Sequence, residues 1–199
     1  MCALVTGAAP AHAAIPVRAG DTIVEGNEKC TLGYVYRWTG STMGLTAGHC
    51  QVNANATIVD RDAGVEGSSV GASSATTRSQ DWQFIDFGDV AWSRRIRGTH
   101  YQVTARSTAT AGQEICHYGV GSNAVVCGTT LAVSGSAVAL TAAGKPGDSG
   151  GPCFVLTGTD GVTAVGLWHG HDGGIAELGF CVSIDAALRA FGGNRGGNA

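Results

Sequence analysis

Apolar residues in this chain fall in short runs: Leu32–Trp38, Met43–Ala47, Thr57–Val59, Val90–Trp92, Glu114–Tyr118, Ala124–Val126, Ala137–Leu140, Phe154–Leu156 and Val162–Trp168. Turn-forming clusters separate them, among them Thr39-Gly40-Ser41, Asp62-Ala63-Gly64, Ser134-Gly135-Ser136 and Gly158-Thr159-Asp160-Gly161. Runs this short, bounded this way, predict antiparallel β-strands. One stretch reads as a helix, Ile184–Phe191, with Ser183 as its N-cap and Gly192 as its stop. The pattern is therefore all-β with a short C-terminal helix, and it shows neither an internal repeat nor an independent second module.

Composition narrows the class. At 199 residues the chain is long enough for a substantial single core. With 32 glycines, 14% charged and 44% hydrophobic residues it suits strands and tight turns, not a helical bundle or a disordered segment. The net charge of −3 gives no electrostatic case for nucleic acid or an anionic membrane as partner. No apolar run approaches a membrane span. Residues 1–13 end in Ala11-His12-Ala13, a small-x-small cleavage pattern, and read as the remnant of a secretory signal peptide; an ordinary disordered N-terminus is the other reading. Of seven cysteines Cys2 lies in that segment, and the remaining six fit a disulfide framework in an extracellular protein. No CxxC pair exists and the spacings do not suit zinc.

Chemistry concentrates in two motifs, Thr46-Ala47-Gly48-His49-Cys50 and Gly147-Asp148-Ser149-Gly150-Gly151. A serine hydroxyl needs an imidazole to take its proton before it attacks a carbonyl. The developing oxyanion needs N–H donors, and glycines let the backbone come close enough to supply them. These residues resemble the chymotrypsin-like (trypsin-type) serine proteases, whose triad runs in the order histidine, aspartate, serine. The resemblance spans roughly Cys30 to Phe191. It is nearest to the secreted bacterial streptogrisin and α-lytic protease branch, through Cys30-Thr31-Leu32-Gly33 and Pro146 just before the serine motif.

The resemblance implies two six-stranded antiparallel barrels in one domain over residues 14–192, with the crossover near 97–113 and a Gly-rich tail at 193–199. It pairs Cys30 with Cys50, Cys116 with Cys127, and Cys153 with Cys181. It makes Ser149 the nucleophile, His49 the general base, and the amides of Gly147 and Ser149 the oxyanion hole. The triad aspartate has two candidates. Asp89, in Asp89-Val90-Ala91-Trp92, is preferred; Asp86, in Asp86-Phe87-Gly88, would leave Asp89 as a charge at a normally apolar strand position.

Asp148 needs a partner, and His117 stands where bacterial relatives carry an arginine, so a His117–Asp148 pair is expected, with a surface histidine as the alternative. Ala143, His169, Gly170 and His171 are expected to bind substrate. His169 and His171 depart from the family's Ser-Gly-Gly, and no third ligand is evident for a His-x-His metal site. The order of expected specificity is small apolar, then acidic through the histidines, then basic through Glu177. The whole predicts a secreted monomeric serine endopeptidase acting on protein or peptide substrates, with no cofactor and no metal. An esterase using the same triad and a catalytically silent protease-like binding protein remain as alternatives.

Overall fold

The computed structural model describes residues 14–73, 76–171 and 178–192, so the suspected signal segment, Glu177 and the Gly-rich tail lie outside the described residues. The N-terminal half carries β1 (Val17–Arg18), β2 (Thr22–Glu25), β3 (Glu28–Thr31), β4 (Tyr34–Trp38), β5 (Ser41–Thr46), β6 (Thr57–Asp60), β7 (Val65–Ala72), β8 (Gln83–Asp86) and β9 (Trp92–Ser93). The C-terminal half carries β10 (Gln102–Arg106), β11 (Glu114–Gly119), β12 (Ala124–Ser134), β13 (Ala137–Thr141), β14 (Pro152–Thr157), β15 (Gly161–His171), β16 (Leu178–Ser183) and helix α1 (Ile184–Ala190).

In the second half the order β15-β14-β11-β12-β13-β16 closes on itself because β16 also pairs with β15, giving a six-stranded barrel with β10 appended in parallel. The first half is a curled sheet in the order β3-β2-β6-β7-β8-β5-β4. The chain thus has the expected chymotrypsin-like architecture, with one half a closed barrel and the other a half-barrel. Closure removes the exposed edges an open sheet would leave for unwanted pairing.

The short apolar runs are realised as nearly continuous burial. β5 buries Thr42 to Thr46, and β11 buries Ile115 to Gly119. One apolar cluster (Tyr34, Tyr36, Phe84, Phe154, Leu167, Leu188) takes residues from both sheets, so the halves share a core. Helix α1 buries Ile184, Ala187 and Leu188, the i, i+3, i+4 face of a short amphipathic helix. The Ser183 hydroxyl accepts from the Ala186 N–H at 3.3 Å, as the cap reading expected.

The three disulfides are Cys30–Cys50, Cys116–Cys127 and Cys153–Cys181. The first closes a separation of 20 residues around the turn that carries His49, a constraint worth about 3 kcal/mol in the chain-entropy picture. One expected strand moves. Val90–Ala91 is irregular and only Trp92–Ser93 pairs, with β1, whereas the buried strand of this region is Gln83–Asp86. No helix among the described residues is long and apolar enough to cross a membrane.

Candidate active site

His49 lies in a single 3-10 turn, Gly48–Cys50, directly after β5. Its backbone N–H donates to Asp81 Oδ1 at 2.8 Å, and its Nδ1 lies 2.8 Å from Asp81 Oδ2. Asp81 is fully buried at the entry to β8. The aspartate facing His49 is therefore Asp81, which corrects the expectation of Asp89 and also excludes Asp86. Asp89 is 87% exposed and pairs with Arg37 at 2.7 Å. Asp86 accepts from the Gly88 N–H at 2.7 Å at the far end of the same strand.

Asp81 stands two residues before the buried strand β8, whose first residue, Gln83, is polar yet buried. A buried carboxamide is tolerated there because Gln83 Nε2 donates at 3.0 Å to Glu25, whose other oxygen accepts the N–H groups of Val52 and Asn53 just beyond His49.

Burial alone would raise the Asp81 pKa. The bonds from His169 and His49, together with the charge of His49, hold it down to about 2. The bond to Asp81 raises the His49 pKa against its own burial. An ionised acceptor on Nδ1 puts the neutral imidazole's proton there and leaves the lone pair on Nε2, the tautomer a general base requires.

The turn bearing Ser149 is tied to this side of the molecule through Thr31. Its N–H donates to the Ser149 carbonyl at 2.8 Å and its hydroxyl to the Gly147 carbonyl at 2.7 Å. The same hydroxyl accepts the Val120 N–H at 3.0 Å, and the Thr31 carbonyl accepts the Thr46 hydroxyl at 2.9 Å. Four bonds on one buried threonine thus lock the serine loop of the second half to the strands of the first. The backbone at Gly150 lies against Thr46 and Ala47, the residues leading into His49; a Cβ there would have no room. Gly147 has φ +98°, a conformation that favours glycine.

Asp148 does not pair with His117. Its Oδ1 accepts from the N–H and hydroxyl of Ser122, at 2.8 and 3.1 Å, and its Oδ2 from the Lys145 N–H at 2.8 Å. Gly119 makes the room, since a Cβ there would collide with the carboxylate. His117 is neither the cation of the loop nor a surface residue. It is fully buried, donates through Nε2 to the Ala143 carbonyl at 2.8 Å, and stacks on Trp168 with ring centroids 3.7 Å apart. Burial pushes its pKa down, which keeps it neutral.

The indole of Trp168 lies between that histidine and the segments at Gly144 and Gly179, neither of which has space for a Cβ. Of the other expected substrate contacts, Ala143 and His171 are exposed, and Gly170 lies in an open bulge of β15 with φ +146°. His169 instead faces inward, with its Nδ1 2.6 Å from Asp81 Oδ2. The ligand-type atoms of His49, Asp81 and His169 lie within 4.8 Å of one another. At 2.6 and 2.8 Å both Nδ1 atoms carry N–H protons bonded to Asp81, so the trio is a proton network and not a set of free lone pairs for a cation.

No protein-family model matches the chain. Streptogrisin-A of Streptomyces griseus is 27% identical over 193 residues, covering 88% of this chain and 60% of that protein. Streptogrisin-D of the same organism is 26% identical over 194 residues, covering 88% and 47%. The chain thus spans about half to three fifths of these curated relatives. Among solved structures, a glutamic acid specific serine protease described as using a histidine triad in substrate binding superposes with TM-score 0.72 at 26% identity, over 88% of this chain and 98% of that one. A Cellulomonas bogoriensis chymotrypsin gives TM-score 0.69 at 26% identity, over 89% and 97%. Sequence and topology thus agree that this chain resembles the bacterial chymotrypsin-like serine proteases.

Proposed function

We propose that the protein is a secreted serine endopeptidase that works through an acyl-enzyme. The observation that carries this reading is the His49 imidazole bonded at 2.8 Å to a buried, ionised Asp81, on the side of the molecule to which Thr31 ties the Ser149 turn. Ser149 attacks the carbonyl of a protein or peptide substrate while His49 Nε2 takes its proton and later delivers it to the leaving amine. Asp81 orients the ring and stabilises the imidazolium. The amides of Gly147 and Ser149 receive the oxyanion. The three disulfides support an extracellular setting.

Specificity for a small side chain is the favoured reading, because the buried Trp168 indole lies against Gly144 and Gly179, in the region where the resemblance puts the pocket. An acidic preference is second, supported by the glutamic-acid-specific relative and the exposed His171. Here His117 and His169 are engaged with Ala143 and Asp81, which weakens it.

The test is labelling with a serine-directed fluorophosphonate followed by peptide-library cleavage. Labelling that disappears in Ser149→Ala, with cleavage after small residues, is the expected result. A folded protein that takes no label is the silent binding scaffold, and turnover of esters without amides is the esterase.

A further inference from the structure

Asp81 Oδ2 serves two imidazoles at once, His49 Nδ1 at 2.8 Å and His169 Nδ1 at 2.6 Å, while Oδ1 is occupied by the His49 backbone N–H. The carboxylate is fully buried, and the two rings meet edge to face with centroids 5.6 Å apart. A hydroxyl or carboxamide donor at this place would never change charge. An imidazole donates the same hydrogen bond but can also bind a second proton at Nε2, because Nδ1 is already protonated toward Asp81.

We propose that His169 is a positioning residue with a charge state: neutral, it anchors Asp81 for catalysis, and protonated, it competes with His49 for the single negative charge of Asp81. The inference rests on the triad reading above. Proton uptake by His49 during serine attack is favoured by an unshared Asp81 carboxylate. With a cation already on the other side of the same oxygen, the imidazolium of His49 gains less, and the base is weaker.

The groups around the pair are few among the described residues. Asp81 approaches from the segment before β8 and His49 from the turn after β5, with Glu28 of β3 acting on His49 at longer range. Arg78 lies over the Phe180 ring of β16 at 4.0 Å. On β15 itself the neighbours are the exposed His171 and Trp168, behind which the buried His117 stacks. Among the described residues Asp81 is thus the one anion in hydrogen-bond contact with His169.

Three forms test this: wild type, His169→Asn, which keeps a donor without a titrating proton, and His169→Ala, which removes both. The acid limb of the kcat/KM profile is expected to require two coupled protons in wild type and one in His169→Asn. His169→Ala should lose kcat by ~10-fold or more at unchanged KM, with His169→Asn restoring most of it. In parallel, imidazole-labelled NMR titration of the same series in the Ser149→Ala background reads His49 directly without turnover. Its midpoint is expected to rise by about one pH unit in His169→Asn, because the competing cation is gone. An unchanged His49 midpoint, or equal rates for Ala and Asn, overturns the proposal. Absence of activity in wild type with coupled histidine titration intact would instead remove the protease reading and leave the coupling standing.

Discussion

Asp81, before β8, and the Asp21–Asp60 pair, before β2 and at the end of β6, are buried to the same degree, all at 0% exposure, yet the fold moves their pKa values in opposite directions. Asp81 is surrounded by three N–H donors, and burial is overcome: its pKa is held at about 2. Asp21 is pushed up to about 7 by burial and by the charge of Asp60, against its bonds from Arg18. Asp60 is raised by burial too, although the N–H groups of Asp62 and Ala63 bond its Oδ1. Its Oδ2 is buried without a hydrogen-bond donor among the described residues. Asp148 is a third case, satisfied by neutral donors from Ser122 and Lys145 in place of a cation. Burial sets the cost of a charge in this protein, and the number of donors aimed at each oxygen decides whether the charge survives.

The sharpest way to break the comparison is Asp81→Asn. An amide in this place favours the wrong tautomer of His49, so kcat/KM for a peptide substrate should fall by ~10⁴-fold with the fold retained, as read by hydrolysis rates beside a thermal melt. A fall of less than tenfold would show that the carboxylate charge is not what the two histidines organise.

Next comes pH. For Asp21 the folded chain keeps a proton that the unfolded chain has released between pH 3.8 and about 7, so its contribution to stability falls as pH rises through that window. The loss is on the order of 2–4 kcal/mol. Asp81 runs the other way, and the stability it adds is present above pH 3.8 and lost as pH drops toward about 2. Asp60→Asn removes a charge that helps to raise the Asp21 pKa, so urea midpoints across pH 4–8 should flatten relative to wild type. A slope equal to wild type would mean that the charge of Asp60 does not act on Asp21.

The smallest effect is expected from Asp89→Asn. An exposed carboxylate paired with Arg37 at the surface should change the rate by less than about twofold and stability by within ~0.5 kcal/mol. A large loss of rate would return Asp89 to the triad.

The strand rhythm, the helix with its Ser183 cap, and the His49 and Ser149 motifs were legible because each is local: a turn, a cap or a nucleophile's glycines are written within a few neighbouring residues. The disulfide pairs came with the family resemblance. The triad aspartate was misplaced because the strand pattern Val90–Trp92 looked more like a relative's than Gln83–Asp86 did. The polar Gln83 is explained only by Glu25, 58 residues away. His117 was misread for a similar reason, since no neighbouring residue announces that it will be sealed behind Trp168.

By itself, then, the chain determined an all-β protein with a serine–histidine apparatus. Such features rest on short-range backbone preference and on side chains whose role is set by their immediate neighbours. Which carboxylate meets which imidazole was left to strand pairing. His49 and Asp81 are 32 residues apart and Asp81 and His169 are 88 apart, and the register of β5 on β8 together with the seating of β15 against them brings all three to one oxygen. Contacts of that span depend on how two sheets curl and share a core, a sum over the whole fold that no stretch of sequence carries.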